Sequence, residues 1–153
     1  MKTIFITLAG LFSIISANAQ KLKEAEIPAP VKESFAKEFS GVKANEWQKE
    51  GNTYEAEFDL KKTETSATFS ADGKLLETEQ EIAVTTLPKA ASDYVTKNYP
   101  GHKLSEASRI TESGTNKVFY EAEVKKGKEG TDLIFDDTGN FIRKEEAKQE
   151  DKD

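Results

Sequence analysis

Two stretches of the chain alternate apolar and polar residues with a period of two. In TYEAEFDL, Tyr54, Ala56, Phe58 and Leu60 alternate with Glu55, Glu57 and Asp59. In VFYEAEV, Val118, Tyr120, Ala122 and Val124 alternate with Phe119, Glu121 and Glu123. Successive strand side chains point to opposite faces, so both stretches predict strands with one face on a core and one in water. A helical spacing precedes each: Val31, Phe35 and Phe39 in one case, Ala91, Val95 and Tyr99 in the other. Residues four apart share a helix face. Pro28 and Pro88 stand at the predicted helix starts, where a missing N–H is tolerated. Gly41 and Gly101 mark the stops, and Pro100 reinforces the second. Turn signals at Gly51-Asn52, Asp72-Gly73, Ser113–Asn116 and Thr138–Asn140 separate further strands.

The two halves align with each other. IPAPVKESFAKEFSG (Ile27–Gly41) matches LPKAASDYVTKNYPG (Leu87–Gly101) at an offset of 60. YEAEFDL matches YEAEVKK at an offset of 66, as FSADGKLLE (Phe69–Glu77) matches FDDTGNFIR (Phe135–Arg143). The offset changes across the longer polar turn TESGTNK of the second half. A two-fold repeat of this length predicts tandem duplication of a small unit. The expected fold class is α+β: two tandem repeats, each one helix packed on a four-stranded antiparallel sheet. A unit of that size has little core alone. The expected boundaries are 20–85 for the first repeat and 86–146 for the second. The link AVTTLP between them is too short to separate two independent domains.

Residues 1–19 are set apart by their own pattern. Met1-Lys2 is a basic start, Ile4–Ile15 is an apolar run, and Ala17 and Ala19 supply the small residues of a cleavage site. This is the layout of a secretory signal peptide, and the apolar run is too short for a spanning helix. The expectation is cleavage after Ala19 and a periplasmic or secreted product beginning at Gln20. The chain has no cysteine. That excludes a lipid-anchored terminus, disulfides, a thiol nucleophile and thiolate-bound metal. The segment 147–153 is rich in charge and poor in apolar residues, and reads as a flexible tail.

The 153 residues carry 22 Lys and Arg against 28 Asp and Glu, a net charge of −6. Loss of Lys2 with the leader makes it more negative. Nucleic acid and anionic lipid surfaces both call for basic patches, so neither is an expected partner.

The pattern P-x-x-V-x-x-x-F-x-x-x-F-x-G at Pro28–Gly41, the YEAEF strand and the FSADGKLLE hairpin, each with its second copy, resemble the PepSY-like, beta-lactamase-inhibitor-like proteins secreted by bacteria. The resemblance covers residues 27–146. It implies tandem α+β units outside the cytoplasm and no established enzymatic role. Some distant relatives of this layout bind enzymes across an open sheet face. The shared motifs are structural, so no functional residue carries over with them.

The residues themselves offer a candidate binding face: Glu55, Glu57 and Asp59 of one strand, and Phe119, Glu121 and Glu123 of the other. The acidic stripes suit a basic protein, a peptide or a cation, and equally an ordinary solvated strand face. Phe119 is either an interface anchor or a cover for the neighbouring repeat. Trp47, the single tryptophan, is either core or part of the binding face, because the alternation around it is too weak to assign. DDTGN (Asp136–Asn140) lacks the ligand spacing of a calcium loop. His102 is the single histidine, no G-x-S-x-G motif accompanies it, and one histidine cannot build a multi-histidine metal site. The carboxylates alternate on solvent-facing positions, whereas a general acid usually needs burial. The expected function is a non-enzymatic exported binding protein, inhibitor-like in mode, with an unknown protein or peptide partner and no cofactor or metal. The alternative is a periplasmic protein for a small ligand, peptide or cation.

Overall fold

The computed structural model describes residues 20–146. The expected leader and tail lie outside them, as does Ala19 of the expected cleavage site. Among the described residues the architecture is α+β, with two α-helices and one nine-stranded antiparallel sheet. The strands are β1 (Gln20–Lys21), β2 (Glu46–Glu50), β3 (Thr53–Leu60), β4 (Thr63–Ser70), β5 (Leu75–Glu81), β6 (Lys103–Glu112), β7 (Val118–Lys126), β8 (Glu129–Asp136) and β9 (Phe141–Glu146). They lie in the sheet in chain order. Helix α1 (Ala29–Glu38) comes between β1 and β2, and α2 (Lys89–Asn98) between β5 and β6.

Both helices sit on the same logic. Pro28 and Pro88 are extended residues immediately before the first turn. Val31 and Phe35 of α1, and Ala91 and Val95 of α2, are buried. Gly41 and Gly101 both have a φ of 79°, but they act three residues beyond the helix ends. Val42 N–H donates to the Phe39 carbonyl and His102 N–H to that of Tyr99. Each glycine thus fills the third place of a four-residue turn, where a type II turn needs positive φ.

Beneath the helices lie two hydrophobic clusters. The first gathers Ile27, Val31, Phe35, Trp47, Ala56, Phe58, Ala67 and Phe69. Its centre is aromatic: the Phe35 ring lies 5.3 Å from Trp47 and 5.2 Å from Phe58, edge to face. The second gathers Leu87, Ala91, Val95, Ala107, Ala122, Val124, Leu133 and Phe135. Tyr94 covers its edge, stacked on Phe141 at 4.5 Å. Two small cores share one sheet, because β5 pairs with β6 along Glu77–Glu81. The repeats therefore meet by continuing the sheet, and the link contributes only a single 3-10 turn at Val84–Thr86.

The last hairpin of each repeat tucks under the start of its helix. Gly73, with φ 87°, lies against Pro30 so closely that a Cβ there would sit 2.7 Å from the Pro30 carbonyl carbon. Gly139, with φ 89°, lies against α2, where a Cβ would meet Ala91 N and Pro88 Cβ at 2.8 Å. The repeat also begins earlier than the sequence match. Leu22 N–H donates to the Trp47 carbonyl, as Ile82 N–H does to that of Ala107. A 3-10 turn follows in both places, at Glu24–Glu26 and Val84–Thr86. Strand β1 is thus a short counterpart of the end of β5.

Candidate binding face

The helices cover one side of the sheet, and the register identifies what lies on the other. Trp47 pairs with Ala56 and Tyr54 with Phe69, which fixes these positions on the helix side. The intervening positions form rows across the opposite side. One row runs Glu46, Glu57, Ser66, Glu79, Ile110, Phe119, Asp136, each paired with the next on adjacent strands. Six strand spacings make this row about 29 Å long. A second row runs Ser108, Glu121, Ile134, Arg143.

These rows are chemically divided. The half built on β2–β5 is acidic. Glu46 and Glu57 stand directly opposite, an arrangement that is unfavourable for like charges. The Gln48 amide relieves it by donating to both, at 3.0 Å and 2.8 Å, and Lys21 pairs with Glu46 at 3.2 Å. Asp59 is exposed and accepts from the Asn45 amide at 3.1 Å.

The half built on β6–β9 has an apolar island. Ile110 is 4% exposed and Ile134 only 1% exposed, yet neither belongs to a helix-side cluster. Neighbouring side chains of the same face must therefore seal them. By register the neighbours are Phe119 beside Ile110, and Glu121 and Arg143 on either side of Ile134. Phe119 is half-buried and also lines a cleft of about 580 Å³ with Arg109, Val118, Tyr120 and Asp137. Sixty-six residues earlier, the counterparts of Ile134 and Arg143 are Thr68 and Glu77. The two halves share a backbone and differ in surface.

The six strand residues expected on this face lie on it, but not all are wet. Glu57 and Glu121 are half-buried, while Glu55 and Glu123 are buried at 6% and 8% exposure. Glu123 is held by Ser105 Oγ at 2.8 Å and by Lys125 Nζ at 2.7 Å, and Lys125 also reaches Glu106 at 3.5 Å. A buried carboxylate is tolerated when it is paired and hydrogen-bonded, and for Glu123 Ser105 of the neighbouring strand and Lys125 of its own strand supply that. Trp47 is corrected: it is not part of the face. It is 7% exposed and packs edge-on against Phe35. Its pairing with Ala56 aims it inward, a fact of register that the weak local alternation does not encode.

Other candidates resolve into turn chemistry. The Asp136 carboxylate accepts from Thr138 N–H and Oγ1 and from Asn140 N–H and Nδ2, at 2.7–3.0 Å. The Asn140 side chain first, and then Thr138, lower its pKa from 3.8 to about 2. The DDTGN carboxylate is thus engaged in closing the β8–β9 turn. In the first repeat Ser70 has the place of Asp136 and Asp72 that of Thr138; Ser70 donates to the Asp72 carboxylate and lowers its pKa. Among the described residues no cluster of three or more His, Asp or Glu could hold a metal ion. His102 packs edge-on against Tyr99 at 5.4 Å. Among the described residues no helix is long and apolar enough to cross a membrane.

Comparison with known proteins agrees with the repeat. The model of the family described as "Putative beta-lactamase-inhibitor-like, PepSY-like" matches residues 9–76 and 52–143. A search among curated proteins finds no match. Among solved structures, the chain is similar to a DUF2874 family protein from Bacteroides uniformis ATCC 8492, with 17% identity and a TM-score of 0.67, covering 78% of this chain and 88% of that one. A protein from Bacteroides eggerthii DSM 20697, described as "putative periplasmic", has 14% identity and a TM-score of 0.65 over 78% and 88%. A BLIP-like protein from Bacteroides fragilis NCTC 9343 has 19% identity and a TM-score of 0.62 over 82% and 91%. At these identities the likeness is one of fold.

Proposed function

The chain belongs to the PepSY-like, beta-lactamase-inhibitor-like family, and from that premise we propose that it is an exported binding protein, not an enzyme, whose open sheet face takes a protein partner. The observation that carries this reading is the row from Glu46 to Asp136, which places an apolar island beside an acidic field. Apolar anchors ringed by polar groups are the usual build of a binding surface. The partner of matching chemistry presents aliphatic or aromatic side chains to half-buried Phe119, beside the sealed Ile110 and Ile134, and Lys or Arg to Glu46, Glu57 and Glu79. The mode is inhibitor-like: the sheet occupies a partner's surface and contributes no reacting group. The leader pattern and the described periplasmic relative support action in the bacterial envelope.

Affinity capture from envelope and culture fluid tests the reading. The bait is the chain from Gln20 to Asp153, compared with Phe119→Ala and with the double variant Glu57→Lys, Glu79→Lys. The expected result is one basic partner held by the wild type and lost by both variants, with melting temperatures retained. Equal capture by all three baits overturns the assignment of the face. A melting temperature raised by calcium or a short peptide, with no protein captured, supports the small-ligand alternative instead, because a ligand of the folded state stabilises it.

A further inference from the structure

We propose that the outer edge of β9 is the docking surface for a second copy of this chain, the two β9 strands pairing antiparallel about a two-fold axis. Among the described residues no strand pairs with that edge. The first repeat shows what such an edge takes. Its last strand, β5, is the counterpart of β9 and is covered by β6. Leu76 of β5 is half-buried, and its carbonyl accepts Ser113 N–H at 2.7 Å. Ile142 stands 66 residues later at the bare edge. Among the described residues it is the one exposed large apolar side chain, at 43%.

The ladder phase identifies the outward groups. Ile82 N–H donates to the Ala107 carbonyl, as Ser113 N–H does to that of Leu76. Bonded pairs alternate along an antiparallel ladder, so Leu76, Thr78, Gln80 and Ile82 turn their N–H and C=O toward β6. Their counterparts on β9 are Ile142, Lys144 and Glu146. A strand laid there gains main-chain hydrogen bonds at these positions, the basis of strand addition.

The occupant follows from the edges the chain has to offer. By the repeat, the complement of β9 would be β2 of another copy, joined head to tail as β5 joins β6. That edge is closed. Gln20 and Lys21 pair with Lys49 and Gln48, and Leu22 N–H holds the Trp47 carbonyl. Thr111 and Glu112, which meet Thr78 and Glu77, have Gly51 and Asn52 as counterparts, and β2 ends before them at Glu50. What remains is β9 itself. A two-fold contact closes at two copies, whereas a head-to-tail contact runs on.

The axis stands perpendicular to the sheet, so paired residues share a face. Centring it on Lys144 uses all three outward positions: Ile142 opposite Glu146 of the second copy, and Lys144 opposite Lys144. Between them Arg143 of each copy lies opposite Glu145 of the other. Within one chain Arg143 Nε holds Glu145 Oε1 at 2.6 Å, so two ion pairs join into a network of four. Centring on Arg143 or on Glu145 would set like charges opposite at that residue. Charged edges ordinarily discourage pairing; here their order selects a second copy, with the Lys144 pair as the one like-charge contact. The open faces become continuous, and the two β7 strands, which carry Phe119, lie about 24 Å apart across five strand spacings.

Sedimentation equilibrium of the chain from Gln20 to Asp153, over a concentration series, tests the proposal. The expected wild-type result is a monomer–dimer equilibrium that ends at two copies. Lys144→Pro removes one outward N–H and leaves the β8 ladder, which bonds through the intervening residues; proline is tolerated on such an edge. This variant is expected to stay monomeric with its circular dichroism unchanged. Lys144→Thr removes the like-charge pair and is expected to lower the dimer dissociation constant about two- to fivefold. Should the proline variant lose its fold, the shift in Lys144→Thr decides alone. Monomer at every concentration for both wild type and Lys144→Thr overturns the proposal. A dimer that neither variant changes also overturns it, and places the contact elsewhere. Assembly beyond two copies overturns the two-fold register in favour of head-to-tail joining.

Discussion

Substituting the glycines of the helix-end turns and of the last hairpins by alanine gives a graded test of how the helices are seated. Gly41, Gly73, Gly101 and Gly139 have φ between 79° and 89°. Gly41 and Gly101 have nothing within 4 Å of the position a Cβ would take. Alanine there bears only the left-handed backbone cost, about 1–2 kcal/mol. Reduced freedom of the unfolded chain offsets about 0.4–1 kcal/mol of this. Gly41→Ala should therefore cost about 1 kcal/mol. Gly73→Ala bears the same cost and also drives its methyl into backbone, 2.7 Å from the Pro30 carbonyl carbon. Backbone cannot turn aside as a flexible side chain can, so the hairpin must lift from α1. Overpacking of this kind adds about 1–3 kcal/mol, for a total of about 2–4. Gly139→Ala should match it, since its Cβ meets Ala91 N and Pro88 Cβ at 2.8 Å. Urea denaturation of the four single variants measures the set. The contact account predicts two pairs: Gly41 with Gly101, mild, and Gly73 with Gly139, severe. Equal losses at all four positions would refute it and leave only the backbone term.

Further predictions follow from other parts of the fold. Lys61 and Lys62 turn between β3 and β4 with φ of 54° and 71°, so replacing them with Asn-Gly should raise stability by about 1 kcal/mol in urea melts. Phe35→Ala removes the ring that meets Trp47, Phe58 and Phe69 and should cost about 3–5 kcal/mol, with Trp47 fluorescence shifting to the red as its cover is lost. The folded pKa of Asp136 is below its ordinary 3.8, at about 2. Its contribution is therefore complete above pH 4 and lost as pH falls toward 2. Asp136→Ala should be less stable than wild type at neutral pH, and the gap should close across that window in acid melts.

Much of the fold was legible because both periods are strong. The four-residue spacing of Val31 and Phe35, and the alternation of Tyr54 to Leu60, each report burial on a single side. The duplication multiplied the signal, since every weak feature occurred twice. What stayed hidden is what depends on partners across strands. Trp47 is inward only because it faces Ala56. Glu55 and Glu123 look wet in sequence and are buried in the sheet. The turn at Lys61-Lys62 lacks the Asn-Gly chemistry that usually marks such conformations.

The apolar island did leave a trace. Leu133-Ile134-Phe135 breaks the alternation, and an unbroken apolar run signals burial on both faces. The corresponding ATF in β4 has a polar residue at its centre, so the difference between the repeats was also readable.

The most direct test of the account is the affinity of the captured partner for three forms of the protein: wild type, Phe119→Ala on the open face, and Lys97→Glu near the end of α2. Calorimetry at low and high salt supplies the measurement. The account predicts at least about tenfold weaker binding for Phe119→Ala, as for an interface anchor. It also predicts affinity that falls with salt, as for an acidic field meeting a basic partner, and no change for Lys97→Glu. Binding lost with Lys97→Glu and retained with Phe119→Ala would put the partner on the helices and contradict the claim that the open sheet is the working surface.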